Sequence, residues 1–288
     1  MQQTVQFTKL NYADSQYPSL LKEGDRPPTA LYIRGQLASV PLLGVVGTRN
    51  ITLYGQEATT HIVRELAHAG IGIVSGLAFG VDAAAHSAAL EAGGYTVAVL
   101  GSAIDGIYPA RNRPLAQQIL KAGGAIVSEY PPGTETQRFF FPERNRIIAG
   151  LSLGVLVIEA DAKSGALITA QIARDTNRET MAVPGNVTSK RSEGTNNLIR
   201  SGAALVRNAQ DVLDALELTS TQIVTRSSSE PANPHESLIL QLIQTGITSS
   251  SQLVDASKLD AAVFARTLTM MEITGKIRPL GGGHWGLG

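Results

Sequence analysis

LLGVVGTRNITLYGQEATTHIVRELAHAGIGIV, residues 42–74, contains a complete strand–helix–strand unit. LLGVV (42–46) is a short unbroken apolar run, as a strand buried on both faces requires. In the segment 53–70, Ala58, Ile62, Leu66 and Ala69 recur at helical spacing and share one face. Gly70 is placed to close that helix, and IGIV (71–74) resumes as a strand. A helix joining two such strands predicts a parallel pair.

The alternation continues downstream. GVDAAAHSAALEAGG (80–94) reads as a helix, YTVAVL (95–100) as a strand, NRPLAQQILKAGG (112–124) as a helix and AIVS (125–128) as a strand. PERNRIIAGLS (142–152) is helical, with Pro142 suited to the first turn. LGVLVIEA (153–160) is the most apolar strand. Helix and strand alternate again through ALITAQIARDTN (166–177), TMAVP (180–184), GTNNLIRSG (194–202), AALV (203–206) and AQDVLDAL (209–216). The pattern predicts an α/β domain over 41–216, an extended Rossmann-like sheet, largely parallel and covered by helices on both faces.

Residues 1–40 are less regular, with one strand-like run, LYIRG, and are expected to pack on this domain as an extension. Residues 217–234 are rich in Ser, Thr and Pro and read as a linker. Residues 235–288 give three short helices and a hairpin turning at Gly281–Gly283, a winged-helix layout. The chain of 288 residues contains no cysteine, which excludes disulfides, zinc ribbons and thiol nucleophiles. The N-terminus lacks a signal-peptide layout and the longest apolar stretch is too short to span a bilayer, so a cytoplasmic protein without membrane contact is expected.

Ligands of parallel α/β sheets bind at the carboxyl ends of the strands. The loops there carry Gly47-Thr48-Arg49, Ser75-Gly76, Tyr108 to Asn112, Phe139 to Arg146, Asp161 to Gly165, and Gly185 to Gly194. Glycines, hydroxyls, asparagines and cations facing helix N-termini make an anion site. The loops hold only two more cations than acids, and the whole chain has zero net charge. A local anion site is therefore expected, not a broad basic face.

Arg49 directly follows a strand and calls for an anion or carboxylate partner. Phe139, Phe140 and Phe141 suit a core or lid, with base stacking as the other reading. Asp82 and His86 stand one helical turn apart; an intrahelical structural pair is favoured over an acid–base pair. Lys163-Ser164 lacks the glycine spacing of a P-loop. No G-x-G-x-x-G opens a helix after a strand, and no His/Asp/Glu cluster has metal-ligand spacing, so no cofactor, metal site or catalytic residue is expected.

Seven segments, in order, resemble the DprA (Smf) family of DNA-processing proteins. They are GTRNITLYG (47–55), SGLAFGVDAAAH (75–86), YPARN (108–112), FPERNRIIAGLS (141–152), EADAKSGALITA (159–170), AVPGN (182–186) and EGTNNLIRSGA (193–203). The resemblance implies a non-catalytic protein that binds single-stranded DNA, forms a homodimer, protects incoming DNA and helps load RecA recombinase in natural transformation. It places Arg49 on the DNA backbone beside Gly47 and Thr48, with Ser75 and Gly76 at the next strand end. Arg144, Asn145, Arg146, Lys163, Ser164 and Gly165 would line the same pocket, with Phe140 or Phe141 meeting a base.

Two departures stand out. Only about ten residues precede the family's lead-in, so a SAM-type N-terminal domain found in many members is expected to be missing. The winged-helix segment is electrically neutral: Lys258, Arg266, Lys276 and Arg278 balance Glu236, Asp255, Asp260 and Glu272. This favours protein contact over duplex reading. The alternative to DNA binding is a nucleotide enzyme of the phosphoribohydrolase-like Rossmann group, but its PGGxGTxxE signature is absent; PGNVTSKRSEGTNN (184–197) spaces the glycines differently.

Overall fold

The computed structural model describes residues 6–24, 26–218, 234–273 and 276–287. The chain divides into two compact units, residues 1–227 and 228–288. Their boundary falls in the stretch expected to be a linker, most of which (219–233) lies outside the described residues.

The first unit is built on a nine-stranded sheet. Its strands are β1 (Thr8–Asn11), β2 (Ala30–Gly35), β3 (Leu42–Val46), β4 (Gly72–Ser75), β5 (Thr96–Val99), β6 (Ala125–Ser128), β7 (Gly154–Val157), β8 (Glu179–Ala182) and β9 (Ala204–Leu205). Their spatial order is β1-β2-β6-β5-β4-β3-β7-β8-β9. From β6 through β9 every pairing is parallel, as the sequence pattern requires. The chain builds outward from β3 in one direction, then returns to β3 and builds in the other. That reversal between β3 and β7 is the topological switch point of a Rossmann sheet, where neighbouring loops part and leave a crevice.

The residues before β3 do more than pack on the domain. β2 joins the sheet antiparallel to β6, and β1 joins β2, so this segment extends one edge. β1 was not expected: its side chains are largely exposed and carry no apolar alternation.

Helices cover both faces. α2 (Leu53–His68), α3 (Val81–Glu91), α4 (Arg113–Lys121) and α8 (Ala209–Ala215) lie on one side. α1 (Ser19–Lys22), α5 (Phe140–Leu151), α6 (Ala166–Asp175) and α7 (Glu193–Arg200) lie on the other. β7 shows why its sequence is continuously apolar: Val155 and Val157 enter one core, Leu156 and Ile158 the other. α5 begins at Phe140, two residues before Pro142, which still sits within the first turn where a missing amide costs nothing.

The second unit contains α9 (Pro234–Gln244), α10 (Ser250–Ser257) and α11 (Ala261–Ile273), then the hairpin β10 (Ile277–Gly281) and β11 (His284–Leu287). Gly281, Gly282 and Gly283 all have positive φ, which explains the glycine run at the hairpin tip. Ile239, Leu253, Phe264, Leu268 and Ile277 form its core. This is the winged-helix arrangement. No helix among the described residues is long and apolar enough to cross a membrane.

Candidate functional site

The loop after β3 is held rigidly from below. Glu159, just beyond β7, is buried and accepts hydrogen bonds from Thr52 N (2.9 Å) and Thr52 Oγ1 (2.9 Å). Its main-chain oxygen accepts from Thr48 N at 2.7 Å, and Thr48 O accepts from Val81 N at 3.1 Å. Thr52 Oγ1 in turn caps α2 by accepting from Gly55 N. The Glu159 carboxylate thus anchors the loop.

A cleft of about 300 Å³ opens at the switch point. Of the expected site residues, Gly47, Thr48, Arg49, Phe141, Arg144, Asn145, Ser164 and Gly165 line it. Asp161, expected on this edge, also forms its walls, as do Asp82, Ile148 and Thr169, which the sequence did not place there.

Arg144 lies at the bottom and is almost fully buried. Its Nη1 donates to Gly76 O at 2.6 Å and to Val99 O, and its Nε donates to Asn145 Oδ1 at 3.3 Å. Asp82 is its buried counter-charge. The Asp82 carboxylate accepts from Gly76 N (3.1 Å) and Ala78 N (3.3 Å). Leu77, with a left-handed φ of 56°, lies between those two amides. Burial lowers the Arg144 pKa to about 10, against the opposing pull of Asp82; nearby Arg49 lowers it further. Burial raises the Asp82 pKa, while Arg144 and the two amides hold it down. A Cβ at Gly76 would run into the guanidinium of Arg144, so this glycine leaves room for the arginine.

Arg49 is differently placed. It is exposed, with its guanidinium 6.0 Å from the centre of the Phe141 ring, and makes no hydrogen bond or ion pair among the described residues. α6 points its positive end at the same cleft. The amides of Ala166, Leu167 and Ile168 are already engaged by Ser164 Oγ, Ser164 O and Gly165 O. The helix therefore supplies electrostatic field more than open donors.

Five expected residues do not line the cleft. Ser75 is buried and donates to Val45 O at 2.6 Å. Gly76 lies behind Arg144. Phe140 is buried and stacked on Tyr130, ring centres 3.7 Å apart, so Phe141 alone of that pair faces the cleft. Arg146 pairs with Glu129 and lines a separate cavity near Leu21 and Arg178. Two residues apart on one helix, Arg144 and Arg146 point in different directions, so they do not share a pocket. Lys163 is exposed just past Asp161, whose Oδ1 accepts from Lys163 N at 2.9 Å.

The Asp82–His86 pair does not form. Asp82 turns to the Gly76 and Ala78 amides, while His86 Nδ1 meets Thr96 Oγ1 at 2.7 Å inside the core.

The DNA recombination-mediator protein A family profile matches residues 8–217, and a DprA winged-helix profile matches residues 225–283. Protein Smf of Synechocystis sp. is 46% identical over 209 residues, 70% of this chain and 52% of the relative. DNA processing protein DprA of Bacillus subtilis is 39% identical over 213 residues, 73% of this chain and 71% of the relative. The aligned region thus spans about half the length of the Synechocystis relative. The X-ray structure of DprA from Streptococcus pneumoniae superposes with a TM-score of 0.68 at 40% identity, covering 73% of this chain and 74% of that one. DNA processing protein A from Helicobacter pylori, solved in a study of its single-stranded DNA binding mode, gives 0.65 at 31% identity, covering 74% and 96%. With the Rossmann sheet, the winged-helix unit and both profiles in agreement, the chain belongs to the DprA (Smf) family of DNA-processing proteins.

Proposed function

We propose that the switch-point cleft holds a phosphate of single-stranded DNA against Arg49, and that the chain is a binding protein, not an enzyme. The observation that carries this reading is the state of Arg49: an exposed guanidinium at a sheet's ligand edge, lying over an aromatic ring and committed to no partner among the described residues. A guanidinium in that state suits the paired oxygens of a phosphate. Phe141 offers a face for the adjoining base. Arg144 adds positive potential from beneath, with its own donors given to main-chain carbonyls. Asp82 and Asn145 are likewise held in hydrogen bonds, which suits a rigid cradle better than proton transfer. Family membership and the single-stranded DNA binding of the H. pylori relative support the reading.

In the role the family implies, the chain works in the cytoplasm as a homodimer. It protects incoming strands and helps load RecA recombinase during transformation and recombination. The neutral winged-helix unit serves protein contact.

The test is a titration with a short oligo-dT at two salt concentrations. The wild-type chain binds at low salt, with log K falling about 0.7 per phosphate contact for each tenfold rise in salt. Arg49→Glu abolishes binding and leaves the unfolding transition unchanged. Absence of wild-type binding at low salt refutes the reading.

A further inference from the structure

Beside the cleft, on the far side of the Glu159 anchor, lies a second pocket of about 430 Å³. Thr52, Tyr54, Glu159, Pro184, Asn186 and Ser192 form its walls. The Tyr54 hydroxyl donates to Pro184 O, which fixes the half-exposed tyrosine ring as one side. Arg191 donates to Asn50 O, tying the loop after β8 to the loop that carries Arg49.

Two polar side chains of this pocket have hydrogen-bonding capacity to spare. Ser192 is only 6% exposed, yet its hydroxyl makes no hydrogen bond among the described residues. It stands against Gly185, where a Cβ would collide with it, so the loop is shaped around this serine. Glu159 is only 3% exposed, and its carboxylate is met by the two donors of Thr52 and by no cation among the described residues. Each Glu159 oxygen holds one hydrogen bond and has room for a second, and Ser192 lines the pocket with its hydroxyl uncommitted among the described residues. A ligand that used both groups would offer an N–H to a carboxylate and an acceptor to a hydroxyl, within reach of an aromatic ring.

We propose that this pocket is a nucleobase subsite that prefers a base bearing an exocyclic amino group. Cytosine N4 or adenine N6 donates to the Glu159 side, a ring nitrogen or carbonyl accepts from Ser192, and the ring lies on Tyr54. Carboxylates are the side-chain acceptors suited to cytosine N4. The same carboxylate repels a phosphate, so the strand's backbone stays in the neighbouring cleft while one base turns into the pocket. Thymine presents a carbonyl where the amino group is needed and is disfavoured. This inference rests on the reading that the cleft binds single-stranded DNA.

The experiment compares oligo-dC and oligo-dT of equal length at the same low salt, using the full chain, Ser192→Ala and Tyr54→Ala. The wild-type chain binds oligo-dC about fivefold more tightly, the discrimination of one hydrogen bond of about 1 kcal/mol. Ser192→Ala and Tyr54→Ala each reduce that ratio toward one, while oligo-dT binding changes less. Equal binding of both oligonucleotides by the wild type overturns the base subsite and leaves the phosphate cleft standing. A preference that survives in both variants also overturns it, because it then arises elsewhere. No binding of either strand overturns both readings together. Should Tyr54→Ala fail to fold, Ser192→Ala, which removes one oxygen from a small side chain, decides the matter alone.

Discussion

His86 makes the first unit sensitive to acid, by an amount the structure sets. The ring is fully buried on α3. Thr96 Oγ1 donates its one hydrogen to Ile73 O at 2.8 Å, so it must accept from His86 Nδ1–H. That fixes the neutral tautomer and leaves Nε2 buried with no partner among the described residues. Burial, with a smaller contribution from the charge of Arg144, pushes the ring's pKa from 6.5 down to about 3. The folded value is depressed, so below pH 6.5 the unfolded chain takes up a proton that the folded chain refuses. Stability is therefore lost as pH falls from about 6.5 toward about 3, and His86 adds no further loss below that. At about 1.36 kcal/mol per pH unit, the cost between pH 7 and pH 4.5 is about 2.6 kcal/mol.

His86→Asn provides the comparison, because an asparagine amide reaches roughly the position of Nδ1 and does not titrate. Urea unfolding is followed by far-ultraviolet circular dichroism, since the sole tryptophan, Trp285, lies in the other unit. The wild type should lose about 2.6 kcal/mol more than the variant between the two pH values, with carboxylate contributions cancelling in the difference. Losses that agree to within about 0.5 kcal/mol would show that the histidine is not held neutral by burial.

Two further outcomes follow from the cleft. Asp82→Ala removes the acceptor of two amides and the counter-charge of buried Arg144, and should destabilise the chain by about 3–5 kcal/mol in urea unfolding at pH 7. Phe140→Ala should cost about 3–5 kcal/mol of stability as a core truncation, whereas Phe141→Ala should leave the unfolding midpoint nearly unchanged and weaken oligo-dT binding, with both effects read on the same protein preparations.

Much of the fold was legible because it follows from local patterning. Strands buried on both faces are continuously apolar, as LGVLVIEA is, and α2 repeats its apolar positions at helical spacing. The position of Arg49 was legible for a related reason: directly after a parallel strand, a residue has only the ligand edge to occupy. The role of Arg144 was not. Apart from its neighbour Asn145, its partners are Gly76, Val99 and Asp82, all more than forty residues away in sequence. The anchoring role of Glu159 was hidden for the same reason, since its partner Thr52 is 107 residues distant. The separation of Arg146 from Arg144, by contrast, was available from helix geometry alone. β1 escaped notice because an edge strand with exposed side chains has no apolar period to read.

The antiparallel strand β2 also bears on how the protein can be trimmed. All four residues of β6, Ala125 to Ser128, are buried, and β2 covers their outer edge through the register Tyr32–Ser128 to Gly35–Ala125. Cutting the chain before β3 would uncover three apolar residues and Ser128 with unpaired main-chain donors and acceptors, which is a template for adding strands from other molecules. The short polar β1 does not offer that template, because its edge carries Lys9 and mostly exposed side chains. β1 and β2 thus guard this edge of the sheet against self-association, and a shortened form that omits them should be judged first by its solubility.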